Sequence, residues 1–198
     1  MDEQQARDDI KLIRDMLERT RRSTADSGMN FIFWGVWIIL ALVGNYALVF
    51  THLYKWIWVN WAFFGFSGWV VTIWYSIRNG RRERVLTFAQ EAAAYFSFAC
   101  GIGFALAAFA LPLLGVYGYG VIPIVVSLVS GVFLFGLGGI FRAKFMLAAG
   151  AAWWVGSMGL AFVPPDWRGL SMVPLLVIGY LVPGLVFRAR FRSDKKQA

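Results

Sequence analysis

Residues 86–114 read LTFAQEAAAYFSFACGIGFALAAFALPLL, and this run decides what kind of molecule the chain makes. A bilayer core about 30 Å thick needs about 20 apolar residues at 1.5 Å each. The stretch is longer than that and holds a single ionised side chain, Glu91. Ala89, Ala93, Ser97, Gly101 and Ala105 stand four residues apart, which on a helix makes a slowly winding stripe where a second helix can approach closely. The stripe predicts a helix among the most buried of a bundle.

The pattern recurs on both sides of this run. The 198-residue chain is 59% hydrophobic and 15% charged, more apolar than a soluble domain of that length needs for its core. Apolar runs at 30–52, 56–77, 86–113, 119–141, 145–164 and 171–187 predict six transmembrane helices. The expected fold is all-α, a polytopic membrane protein with six transmembrane helices in a compact bundle plus an N-terminal amphipathic helix. Its parts are a cytoplasmic amphipathic helix and linker at 1–28, the transmembrane domain at 29–188 and a basic cytoplasmic tail at 189–198. The hydrophilic opening lacks a signal-peptide pattern, so the first span is expected to persist in the mature protein.

Ahead of that span, Ala6, Ile10, Ile13 and Leu17 recur at helical spacing, with Leu12 and Met16 widening the apolar stripe. Within residues 2–22, Glu3/Arg7, Asp15/Arg19 and Glu18/Arg22 set acid before base at i,i+4, the favourable order on a helix. Up to Glu18 acids outnumber bases: Asp2, Glu3, Asp8, Asp9, Asp15 and Glu18 against Arg7, Lys11 and Arg14. A helix made for anionic lipid has the opposite balance. The acidic face suits basic groups instead, on the protein's own cytoplasmic loops or on a protein partner.

Charge then assigns the sides. All of the 19 Lys and Arg except Lys55 and Arg168 fall in the N-terminal segment, between Arg78 and Arg84, at Arg142 and Lys144, or from Arg188 onward. The positive-inside rule assigns that side, and both termini, to the cytoplasm. The net charge of +8 therefore reports topology; the expected partner is the lipid bilayer, not nucleic acid. Tyr54, Trp56, Trp58, Trp61, Tyr117, Tyr119 and Trp167 mark the outer interface, and Trp34, Trp37, Trp74 and Tyr75 the inner one.

Small residues recur as Ala148, Ala152 and Gly156 in span five and as Ser127 and Gly131 in span four. Six helices offer these faces partners within one chain; packing between copies, as a homo-oligomer, is the alternative. Pro174 and Pro183 predict a bend in span six.

Catalytic chemistry has little to work with. A bis-histidine haem needs two axial His, and the chain has only His52. Cys100 is solitary in an apolar run, which leaves neither an intrachain disulfide nor a Cys metal cluster. Ser157 stands in Gly-Ser-Met-Gly, but Val155 replaces the glycine of a rhomboid-type protease motif and span six has no His. No catalytic residue, metal or cofactor is expected, and the chain is not expected to be an enzyme.

Polar groups at depth remain. Glu91 lies about 8 Å into span three at 1.5 Å per residue, with Arg84 and Arg142 as candidate partners. Paired, it is a structural charge; unpaired and desolvated, its pKa rises and it carries a proton or ion. Asn45, Asn60 and Gln90 read as hydrogen-bonding groups between helices. Trp153 and Trp154 fall in mid-span, off the interfacial belts, as packing groups or as walls of a ligand cavity.

The prefix IKLIRDMLERTRRSTADSG followed by FIFWGVW resembles uncharacterised small bacterial multi-pass membrane proteins that begin with an amphipathic helix and enter the membrane through Trp-Gly. The resemblance covers about the first forty residues and implies a bacterial inner membrane, with no assigned activity. In size the six spans are also similar to the substrate-binding subunits of energy-coupling-factor vitamin transporters, but the first span lacks their Ala-x-x-x-Ala pattern and the outer loops are too short for a lid. Three functions stay open. The leading one is a non-enzymatic accessory or regulatory membrane protein that engages a partner at the cytoplasmic face through residues 2–22. The others are a small-solute or proton-coupled transporter using Glu91, and a ligand-capturing transporter subunit using Trp153 and Trp154.

Overall fold

In an apolar medium every backbone N–H and C=O must find a partner inside the protein, which leaves helices as the economical solution for runs like these. A computed structural model describes residues 28–80 and 88–197, and these form helices joined by short turns. Helix α1 covers Gly28–Phe50, α2 Ile57–Gly80, α3 Phe88–Leu113, α4 Ile122–Ile140 and α5 Lys144–Ala161. The last helix, α6, starts at Pro165–Ser171 and continues through Val173–Leu176, Val177–Leu181 and Val182–Gln197. The helix expected at 2–22, and Arg84, lie outside the described residues.

Five of these helices are long and apolar enough to cross a membrane, so the chain is a multi-pass helical membrane protein. The one below that mark is α5, the fifth of the six expected spans. It has 18 residues and dilutes its apolar content with Lys144, Gly150, Trp153, Trp154, Gly156, Ser157 and Gly159.

The limits of α6 differ from expectation at both ends. Pro164-Pro165 reads as a break, yet Pro165 occupies the first turn of the helix, where a missing N–H costs nothing and φ is already helical. Asp166 beside it complements the positive end of the helix dipole. At the other end the helix runs on to Gln197, through the boundary expected at 188. Ahead of Pro183 the backbone widens into a π-helical turn, Val177–Leu181, and the same happens before Pro112 at Leu106–Ala110. Widening relieves the clash of a proline ring with the carbonyl four residues back. In the π pattern Pro112 is the residue that fails to donate to Ala107, and the Tyr117 hydroxyl donates to that carbonyl instead.

Successive helices pack antiparallel, and the last closes on the first. Between α1 and α2, Trp34 Nε1 donates to Thr72 Oγ1 at 3.0 Å and Trp37 Nε1 to the Phe64 carbonyl at 2.9 Å. The Trp69 indole of α2 covers Gly101 of α3, and Phe104 of α3 meets Phe133 of α4 edge-on, 6.3 Å between centroids. Helices α5 and α6 join through Trp153 and Tyr180, 5.9 Å apart, and through Phe145 and Phe187, 4.9 Å apart. Phe31 of α1 then packs on Tyr180 and Phe187. At its start α1 touches α6 backbone to backbone: a Cβ on Gly28 would lie 3.0 Å from the Gly184 carbonyl oxygen.

The tightest pair is α4 with α5. Ser157 Oγ donates to the Ile124 carbonyl at 2.9 Å and Trp154 Nε1 to that of Leu128 at 3.3 Å. Further along, a Cβ on Gly150 would lie 2.7 Å from the Phe135 nitrogen, and one on Gly138 2.8 Å from the Leu147 nitrogen. Apolar burial gains little over lipid contact, so dispersion and these hydrogen bonds hold the pair.

Helix α3 is less central than its ladder predicts. Of its candidate span 22% is buried, against 28% for the span ending in α4 and 39% for that in α6. Residues four apart advance 400°, so each rung turns about 40° past the last. Ala93 is buried, Ala89 and Ser97 are half-buried and Ala105 is exposed. The buried positions are Ala93, Cys100 and Ala107, a spacing of seven that drifts only about 20° per step.

Candidate functional site

The residues singled out in the sequence do not converge. Glu91 is exposed in the first turn of α3, where a carboxylate complements the helix dipole. The structure joins it by an ion pair to neither Arg142 nor Lys144. Gln90 beside it is half-buried and partnered. Arg142 is exposed in the turn between α4 and α5, at a φ of 51°. The turn takes the left-handed residue that ends many helices, usually glycine, with the Ala143 nitrogen donating to the Gly138 carbonyl at 2.8 Å. His52 ends α1 in the same way at φ 57°.

Asn45 and Asn60 both work inside the α1–α2 hairpin. Asn60 Nδ2 donates to the Ala41 carbonyl at 3.0 Å, and Asn45 Oδ1 accepts from Trp61 Nε1 at 3.1 Å. Asn60 also lines a shallow, open groove of about 460 Å³ with Leu48, Leu53, Trp56, Val59 and Phe63. Trp153 and Trp154 are not among its walls. Trp153 is 1% exposed and packs against Gly179, while Trp154 lies over Gly131 and meets Phe135 at a tilt, 5.1 Å between centroids.

A buried polar layer crosses the middle of α4, α5 and α6. Ser127, Ser130 and Ser157 are all buried. Ser130 Oγ donates to the Val126 carbonyl at 2.9 Å, and the Tyr180 phenol faces Ser130 with Cys100 nearby. The Ser130 bond stays within α4, whereas the Ser157 hydroxyl ties α5 to α4; a serine nucleophile needs an adjacent base instead. Ser127 Oγ and Trp153 Nε1 have no partner among the described residues, at a cost of about 1–3 kcal/mol each. Among the described residues no group of three or more His, Cys, Asp or Glu side chains could hold a metal ion.

Two polar ties that the sequence reading missed close the end of the bundle opposite Gly28 and Gly184. Arg168 of α6 donates from Nε to the Val163 carbonyl at 2.8 Å, from Nη1 to Gly120 at 2.8 Å and from Nη2 to Ala161 at 3.3 Å. One guanidinium thereby joins α6, the end of α5 and the start of the α4 segment, and it answers the negative end of the α5 dipole. Tyr46 of α1 donates to the Asp166 carbonyl at 2.7 Å and accepts from the Leu170 nitrogen at 3.0 Å. The available signal for Arg168 was its position on the base-poor side, next to a Pro-Pro turn too short to leave its carbonyls paired. No family model, curated protein or solved structure matches the chain.

Proposed function

We propose that this chain is a non-enzymatic accessory or regulatory membrane protein that crosses a bacterial inner membrane six times and engages a protein partner at its cytoplasmic face through residues 2–22. The observation that carries the reading is the register of α5 on α4, which runs from Ser157 on Ile124 to Leu147 on Gly138. A helix matched along the whole of a membrane span shares its depth. That supports a sixth crossing, and an even number of crossings returns the chain to the side from which it entered.

The approach of Gly28 to Gly184 supports the same topology, since α6 comes back to where α1 begins. Arg78, Arg142, Lys144 and Arg188 gather at that end, which favours the cytoplasm for it. Gly28, to which the acidic prefix is joined, therefore lies at the end that carries these bases. An accessory role is supported by an interior filled by Leu134, Met146, Trp153 and Leu176, and by serine hydroxyls bonded to backbone carbonyls.

The test compares the full chain with a chain lacking residues 1–22, each purified in mild detergent from its native membrane. The shortened chain should keep its monodisperse elution and lose the co-purifying partner. Retention of every co-purifying protein would overturn the assignment.

A further inference from the structure

Two bases break the charge asymmetry of this chain, Lys55 and Arg168. Arg168 is accounted for by the three backbone carbonyls it binds. Lys55 is not: it is exposed in the short turn Tyr54–Trp56 that joins α1 to α2, and among the described residues its ammonium has no acidic partner. Its flanking residues are aromatic, and Trp56 and Leu53 on either side are also walls of the groove formed with Leu48, Val59, Asn60 and Phe63. The groove starts at the level of the lysine and runs toward mid-span. From Trp56 to Phe63 it follows α2 for about 10 Å at 1.5 Å per residue.

The lining is apolar although an asparagine contributes to it. Asn60 turns Nδ2 to the Ala41 carbonyl and Oδ1 toward Gly44, so its polar atoms face α1. A cation at the membrane surface above an apolar channel matches one kind of molecule, in which a negative headgroup sits directly over hydrocarbon. We propose that the α1–α2 turn is a binding site for an anionic phospholipid, its phosphate held by Lys55 and the upper part of one acyl chain in the groove. A neutral zwitterionic lipid offers the same hydrocarbon without the net charge that a Lys near the surface attracts.

The test uses the full chain in detergent, stripped of lipid and titrated with phosphatidylglycerol or with phosphatidylcholine of identical acyl chains, with bound lipid read by native mass spectrometry. The wild type should take up phosphatidylglycerol more tightly. Lys55→Gln should weaken phosphatidylglycerol binding about fivefold, the worth of one Lys near an anionic surface, and leave phosphatidylcholine unchanged. Lys55→Arg should keep the preference. Val59→Trp, which fills the groove and spares the charge, should weaken both lipids. Equal binding of the two lipids by the wild type overturns the proposal, as does unchanged phosphatidylglycerol binding in Lys55→Gln or in Val59→Trp.

Discussion

Gly179→Ala tests the packing at the centre of the bundle. A Cβ at 179 would fall 2.7 Å from Cδ1 and 2.8 Å from Cε2 of the Trp153 indole, and closer still to Nε1. Ordinary contact begins near 3.4 Å, so the indole would have to retreat. It has nowhere to go, being 1% exposed and held edge-on by Tyr180 at 5.9 Å. Overpacking of this kind costs about 1–3 kcal/mol, and rigid neighbours on both sides put this site toward the upper half. Gly159→Ala is the matched control on the same bundle. Its added methyl meets nothing within 4 Å, and replacing a helical glycine by alanine gains about 0.5–1 kcal/mol. The two substitutions should therefore differ by at least ~2 kcal/mol, roughly thirtyfold in the unfolding equilibrium. Reversible unfolding in detergent micelles, followed by circular dichroism, measures that difference. Equal stability of the two variants would refute the packing argument.

Other substitutions probe the polar ties and the turns. Tyr46→Phe removes both bonds between α1 and the start of α6 and should cost about 1–3 kcal/mol in the same unfolding assay. Arg168→Gln cannot bridge three carbonyls, so amide hydrogen exchange should quicken around Gly120 and at the end of α5; unchanged protection at both would remove Arg168 as the clamp. Arg142→Gly relieves a left-handed φ of 51° and should stabilise by about 0.5–1 kcal/mol, the relief of about 1–2 kcal/mol being offset by the entropy of glycine.

Hydropathy made the apolar helices legible because a span must be apolar along its length whatever it packs against. Packing was harder to read. The four-residue ladder from Ala89 to Ala105 marks where approach is possible, but its 40° drift per rung is visible only once a partner fixes one face. The start of the last helix lies ahead of the expected 171 because a proline that ends helices from inside starts them from the first turn, as Pro165 does. Glu91 drew notice as a charge in an apolar run, yet its place in the first turn of α3 leaves it exposed. The bonds that Arg168 and Tyr46 make were not legible, because their partners are backbone carbonyls and an amide, which carry no sequence signature. Sequence could show that Lys55 and Arg168 violate the charge rule, though not that one of them is satisfied internally and the other open.

The topology is tested most directly by impermeant maleimide labelling of single cysteines in a Cys100→Ala background, in sealed cells. Ala143→Cys in the α4–α5 turn should react only after permeabilisation, and Val163→Cys in the α5–α6 turn should react in intact cells, as a cysteine at Lys55 should. Labelling of positions 143 and 163 from the same side would mean that α5 does not cross the membrane, and would contradict the six-span account.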